Sequence, residues 1–139
     1  MAGGPDVDLL EDLLTLEHRL LSAYEDALRG DVIEPGLGEL LRDQEAAHVQ
    51  ALLRTLRGRG SRSPQASVPA HELTAALREP AAFATYALKI ERQAVAAYRG
   101  AVARISDSSL RQALGSILAC EAAHEVALRD SLGERLVVD

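Results

Sequence analysis

Leu9, Leu10, Leu13, Leu14, Leu20, Leu21 and Leu28 recur at three- and four-residue spacing, the period of a helix with one apolar face. The pattern predicts a first helix over about 8–29, stopped at Gly30. A second, over about 36–57, carries Leu37, Leu41, Val49, Leu52 and Leu56 on one face and ends at Gly58. Arg57 to Pro69, rich in Gly, Ser, Arg and Pro, reads as a connector, within a crossover over about 58–79 that has room for a short helix near 71–78. Pro80 suits the first position of a third helix over about 80–105, striped by Phe83, Ala87, Leu88, Ala94, Val95, Val102 and Ile105. Ser106, Asp107 and Ser108 offer capping side chains for a fourth, over about 107–132. There Leu110, Leu114, Ile117, Leu118, Leu128 and Leu132 face inward, and Gly133 is the stop. Short links make each outer pair an antiparallel hairpin, and the crossover is long enough to run the length of a bundle. Gly100 and Gly115, inside helices at about 1 kcal/mol each relative to Ala, are expected to mark close helix contacts.

The polar residues that interrupt these stripes repeat as well. Glu17 is followed by Tyr24 and Glu91 by Tyr98, seven residues on in each case, while Glu45-Ala46-Ala47-His48 and Glu121-Ala122-Ala123-His124 share one tetrapeptide. The halves are offset by 74 residues (17 to 91) and 76 residues (45 to 121), so the chain reads as two related helical hairpins. Each glutamate sits between apolar residues one turn before and after it, so every helix aims one carboxylate into the core. Four buried, unpaired carboxylates would cost several kcal/mol each if ionised, or would have to take up protons. No basic residue repeats on the inward stripes to pair with them.

Divalent metal resolves that charge. Two such ions carry the charge that balances four carboxylates, and two neutral histidines add none. Glutamate and histidine three residues apart lie on one helical face, about 4.5 Å apart along the axis, and can reach one ion. Glu17, Glu45, His48, Glu91, Glu121 and His124 thus form the donor set of a dinuclear carboxylate centre in a helical bundle. Oxygen and imidazole donors suit iron and manganese, and zinc would also bind. Tyr24 and Tyr98 fit beside the donors, each hydroxyl in reach of a carboxylate from the opposite helix pair. His18 points about 100° away from Glu17 and is expected at the surface or an interface, and His71 in solvent. Glu125 turns to the flank, Cys120 is expected as a buried, inert thiol, and Arg57, Arg59 and Arg62 as a solvated loop.

Composition fits an all-α core. The chain has 139 residues, 47% hydrophobic and only 3% aromatic, with no Trp, which favours Leu- and Ala-built helices over sheets and one domain over two. A net charge of -6 argues against nucleic acid or anionic membrane as a partner. The lone Cys120 supports neither a disulfide framework nor a Cys-rich zinc site. With no basic segment followed by an apolar run near Met1, the cytoplasm is the expected compartment.

The segments Leu88 to Glu91 through Tyr98, Ile105 to Asp107, and Ile117 to His124 through Arg129 resemble the bacterial ferritin-like domain family, which includes desiccation-related proteins. Leu14 to Glu17 through Tyr24 and Glu45 to His48 look like its first half, so the resemblance runs from about Leu9 to Leu132. It implies a ferritin-like four-helix bundle, two hairpins joined by a long crossover, with a carboxylate-bridged dinuclear site held by the six residues above. It also implies redox chemistry on iron. The chain has neither the C-x-x-C pairs of a rubrerythrin's electron-transfer domain nor, with Met1 its sole methionine, the haem-ligating methionine of a bacterioferritin.

The expectation is therefore a protein that binds two divalent ions, iron first and manganese or zinc next, and oxidises Fe(II) with O2 or peroxide. Glu17, Glu45 and His48 would hold one ion and Glu91, Glu121 and His124 the other, with one or more glutamates bridging. The alternatives are a non-catalytic helical-bundle interaction protein with a structural metal, and iron storage in a cage. A homo-oligomer is expected, with a dimer favoured.

Overall fold

A computed structural model describes residues 4–62 and 70–134, without the side chains of Ala70 and His71. The connector over 63–69 and the placement of the His71 side chain lie outside the described residues. Among the described residues five helices follow in chain order: α1 (Pro5–Arg29), α2 (Pro35–Gly58), α3 (Ala70–Ala76), α4 (Pro80–Arg104) and α5 (Ser108–Ser131). No strand occurs among the described residues, so the protein is an all-helical bundle. None of these helices is long and apolar enough to cross a membrane.

The core is the leucine stripe that the spacing foretells. Leu10, Leu13, Leu14 and Leu20 of α1, Leu41, Leu52 and Leu56 of α2, Phe83 and Ile90 of α4, and Leu114 and Leu128 of α5 are buried together. α1 packs on α2, α4 on α5, and α1 on α4, while α3 packs on α4 and carries the buried Leu73 and Ala76. α2 and α5 approach each other less closely, and their side chains meet at the polar cluster described below.

The helix ends show where local chemistry outweighs periodicity. α1 begins three residues before the first periodic leucines imply, because Pro5 takes the first helical position, Asp6 and Asp8 complement the helix N-terminus, and Val7 extends the buried stripe. After α1 it is Asp31, at φ 56°, that adopts the left-handed conformation, while Gly30 stays right-handed. Glu34 caps α2, its carboxylate accepting from Gly36 N at 3.0 Å and Leu37 N at 2.7 Å. Asp107 caps α5 by accepting from Leu110 N at 2.9 Å.

The expectation of close contacts at Gly100 and Gly115 is corrected, since a Cβ at either would meet nothing within 4 Å. The close approach is at Gly38, where a Cβ would lie 2.6 Å from Leu28 Cδ2 and 2.8 Å from Ile33 Cγ2. The α1–α2 link folds over that position.

Candidate metal centre

Each long helix contributes its glutamate to one point in the core. Glu17, Glu45, Glu91 and Glu121 are all 0% exposed, and His48 and His124 are buried beside them. The sequence period explains the convergence: each glutamate occupies an inward position of a leucine stripe, and Glu45/His48 and Glu121/His124 fall one turn apart on their own helices.

The six residues form two overlapping clusters, Glu17–Glu45–His48–Glu121 and Glu45–Glu91–Glu121–His124, each with donor atoms within 4.8 Å of one another. His48 Nδ1 faces Glu121 Oε1 at 3.0 Å, Glu45 Oε2 at 3.2 Å and Glu17 Oε2 at 3.5 Å. His124 Nδ1 faces Glu45 Oε1 at 3.0 Å, Glu121 Oε2 at 3.2 Å and Glu91 Oε1 at 3.3 Å. Glu45 and Glu121 therefore divide their two oxygens between the histidines, whereas Glu17 and Glu91 each serve one cluster. The imidazole rings are nearly parallel, their centroids 6.2 Å apart.

The tyrosines cross between the halves. Tyr24, on the helix of Glu17, donates to Glu91 Oε1 at 2.5 Å, and Tyr98, on the helix of Glu91, donates to Glu17 Oε1. Burial first, and then the neighbouring carboxylates, hold both phenols above their ordinary range, so they stay protonated and donate. Phe83 meets Tyr24 edge-on, with ring centroids 6.0 Å apart.

Burial raises Glu17 and Glu91 from 4.5 to about 7, with the nearby histidines pulling down and neighbouring glutamates pushing up. For His124, burial would lower the imidazole, but Glu121, Glu45 and Glu91 more than offset this and raise it to about 12. His48 is raised in the same way by Glu121, Glu17 and Glu45. Without metal, protons therefore supply the charge that balances the carboxylates. Even so, Glu17 Oε2, Glu45 Oε1, Glu91 Oε2, both oxygens of Glu121 and His124 Nδ1 are buried and make no well-directed hydrogen bond, although imidazole and carboxylate atoms lie 3.0–3.5 Å apart. Orphaned oxygens and an imidazole nitrogen aimed at common points are the donor chemistry of a divalent cation site, so the residues fit such an ion.

Other candidates resolve as follows. Glu125 is held outside the clusters by Arg92 at 3.2 Å and Arg129 at 3.0 Å. His18 is half-buried on α1, apart from both clusters. Cys120 departs from expectation: it is half-buried, with Sγ 3.4 Å from His124 Nε2 and 3.5 Å from Gln44 Oε1. The sequence reading missed Gln44, whose Oε1 lies 2.6 Å from His124 Nε2. The repeat that aligns Gln44 with Cys120, each four residues before a histidine, was the available signal.

Comparison with curated proteins and with solved structures gives no match. A family model described as ferritin-like domain matches residues 5–134, and the chain belongs to that family.

Proposed function

We propose that this ferritin-like domain protein binds two divalent metal ions in its core, iron first, and oxidises Fe(II) with O2 or peroxide. The observation that carries the reading is the sharing of Glu45 and Glu121 between two buried clusters that each add one further glutamate and one histidine. Two iron ions held there would supply two electrons as they pass from the ferrous to the ferric state, which with two protons from solvent take O2 to hydrogen peroxide, or hydrogen peroxide to two waters.

The chain's own residues have separable tasks. Glu45 and Glu121 would bridge, since each already offers one oxygen to each cluster. Glu17 and Glu91 would each hold a single ion: Tyr98 fixes Glu17 Oε1 and leaves Oε2, which faces His48, for metal, while Tyr24 fixes Glu91 Oε1, the oxygen that also faces His124, and leaves Oε2 without a partner. His48 and His124 would add one imidazole nitrogen each, and the leucine shell excludes bulk water. A set of four carboxylates matches the charge of two divalent ions, which favours a dinuclear over a mononuclear centre.

The test is elemental analysis of purified protein combined with the rate of anaerobically supplied Fe(II) oxidation on exposure to O2 or peroxide. Bound metal and oxidation above the protein-free background are expected. No bound metal together with background oxidation would overturn the proposal.

A further inference from the structure

The two halves repeat in sequence, but around the histidines they are unequal. Gln44 precedes His48 by four residues and Cys120 precedes His124 by four, so each lies one turn before a histidine on the same face. Both nevertheless converge on His124. Gln44 Oε1 is 2.6 Å from His124 Nε2, and the Cys120 thiol lies 3.4 Å from that nitrogen and 3.5 Å from Gln44 Oε1. His48 Nε2 has no hydrogen-bond partner among the described residues, and His48 is 8% exposed against 3% for His124.

An amide oxygen only accepts, so the His124 nitrogen facing Gln44 carries the hydrogen and Nδ1 is the donor atom turned toward Glu45, Glu91 and Glu121. A ring fixed in that orientation before an ion arrives gives up less freedom on binding and is a more basic donor. We infer that Gln44 is a positioning residue that makes the clusters unequal, so that Glu45, Glu91, Glu121 and His124 take up the first divalent ion and Glu17, Glu45, His48 and Glu121 the second. The inference rests on the reading that these clusters hold metal.

The experiment is a calorimetric and absorption titration of metal-free protein with Co(II) alone, in wild type and in Gln44→Leu, Gln44→Glu and His48→Ala variants. Two resolved steps are expected in wild type. Gln44→Leu should weaken the tighter step by roughly 10- to 100-fold and leave the weaker one. Gln44→Glu, which still accepts from Nε2, should keep the tighter step, and His48→Ala should keep it while losing the weaker. Indistinguishable steps in wild type, an unchanged tighter step in Gln44→Leu, or loss of the tighter step in His48→Ala would each overturn the inference while leaving the metal reading intact. A wild type that binds no Co(II) would overturn both.

Discussion

Glu45 and Glu121 differ from Glu17 and Glu91 in what each oxygen faces, and that difference separates their expected mutant effects. Truncating a residue shared by both clusters, in Glu45→Ala or Glu121→Ala, removes one side chain from each, so under the proposed function bound metal per chain should fall toward zero. Glu17→Ala touches one cluster only and should leave about half of the wild-type content, by the linkage of donor number to affinity; elemental analysis reads both. Tyr98→Phe strips the hydroxyl from a buried Glu17 oxygen. It should lower the stability of the metal-free protein by about 1–3 kcal/mol, measured by chemical denaturation. The meeting of the six clustered residues was legible because their residue types interrupt apolar stripes twice in the same order. So was the crossing of the tyrosines, since a seven-residue step returns a side chain to the same face. The division of carboxylate oxygens between clusters and the reach of Gln44 to the opposite histidine were not, because both depend on the relative placement of helices and not on the period of any one of them.

The helices were legible where hydrophobic period and stop signals agree, as at Gly58 and Pro80. They were less so where a short-range device decides. Pro5 and two first-turn acids lengthen α1, and Asp31 takes the left-handed position beside Gly30. The glycines misled for a related reason: sequence registers their helix cost but not whether a neighbour lies against them. Gly100→Ala and Gly115→Ala add a methyl group to open space, so each should stabilise the protein by about 0.5–1 kcal/mol in a denaturant titration. Gly38→Ala drives its Cβ into Leu28 and Ile33 and should destabilise by about 1–3 kcal/mol, the usual range for overpacking.

For the whole molecule, four acidic residues among the described ones, Glu17, Glu45, Glu91 and Glu121, belong to the interior, where under the proposed function metal and protons would compete for them. The raised Glu17 and Glu91 carboxyls bind protons in the fold that the unfolded chain releases between about pH 4.5 and about 7. His124, raised from 6.5 to about 12, extends the same sign to higher pH. A group whose folded-state pKa is raised contributes stability below its unfolded value and loses it as pH climbs through the folded one. The melting temperature of metal-free protein should therefore fall from pH 5 to pH 8. The increment given by bound metal should rise across that interval, because the ion requires deprotonated donors. A metal-free protein that grows more stable toward pH 8 would contradict the proton-filled centre. The most direct test of the two-ion centre is anomalous diffraction at the iron edge from crystals of anaerobically Fe(II)-loaded protein. Two peaks per chain are expected, one among Glu17, Glu45, His48 and Glu121 and one among Glu45, Glu91, Glu121 and His124. A single peak, or none within reach of these side chains, would contradict it.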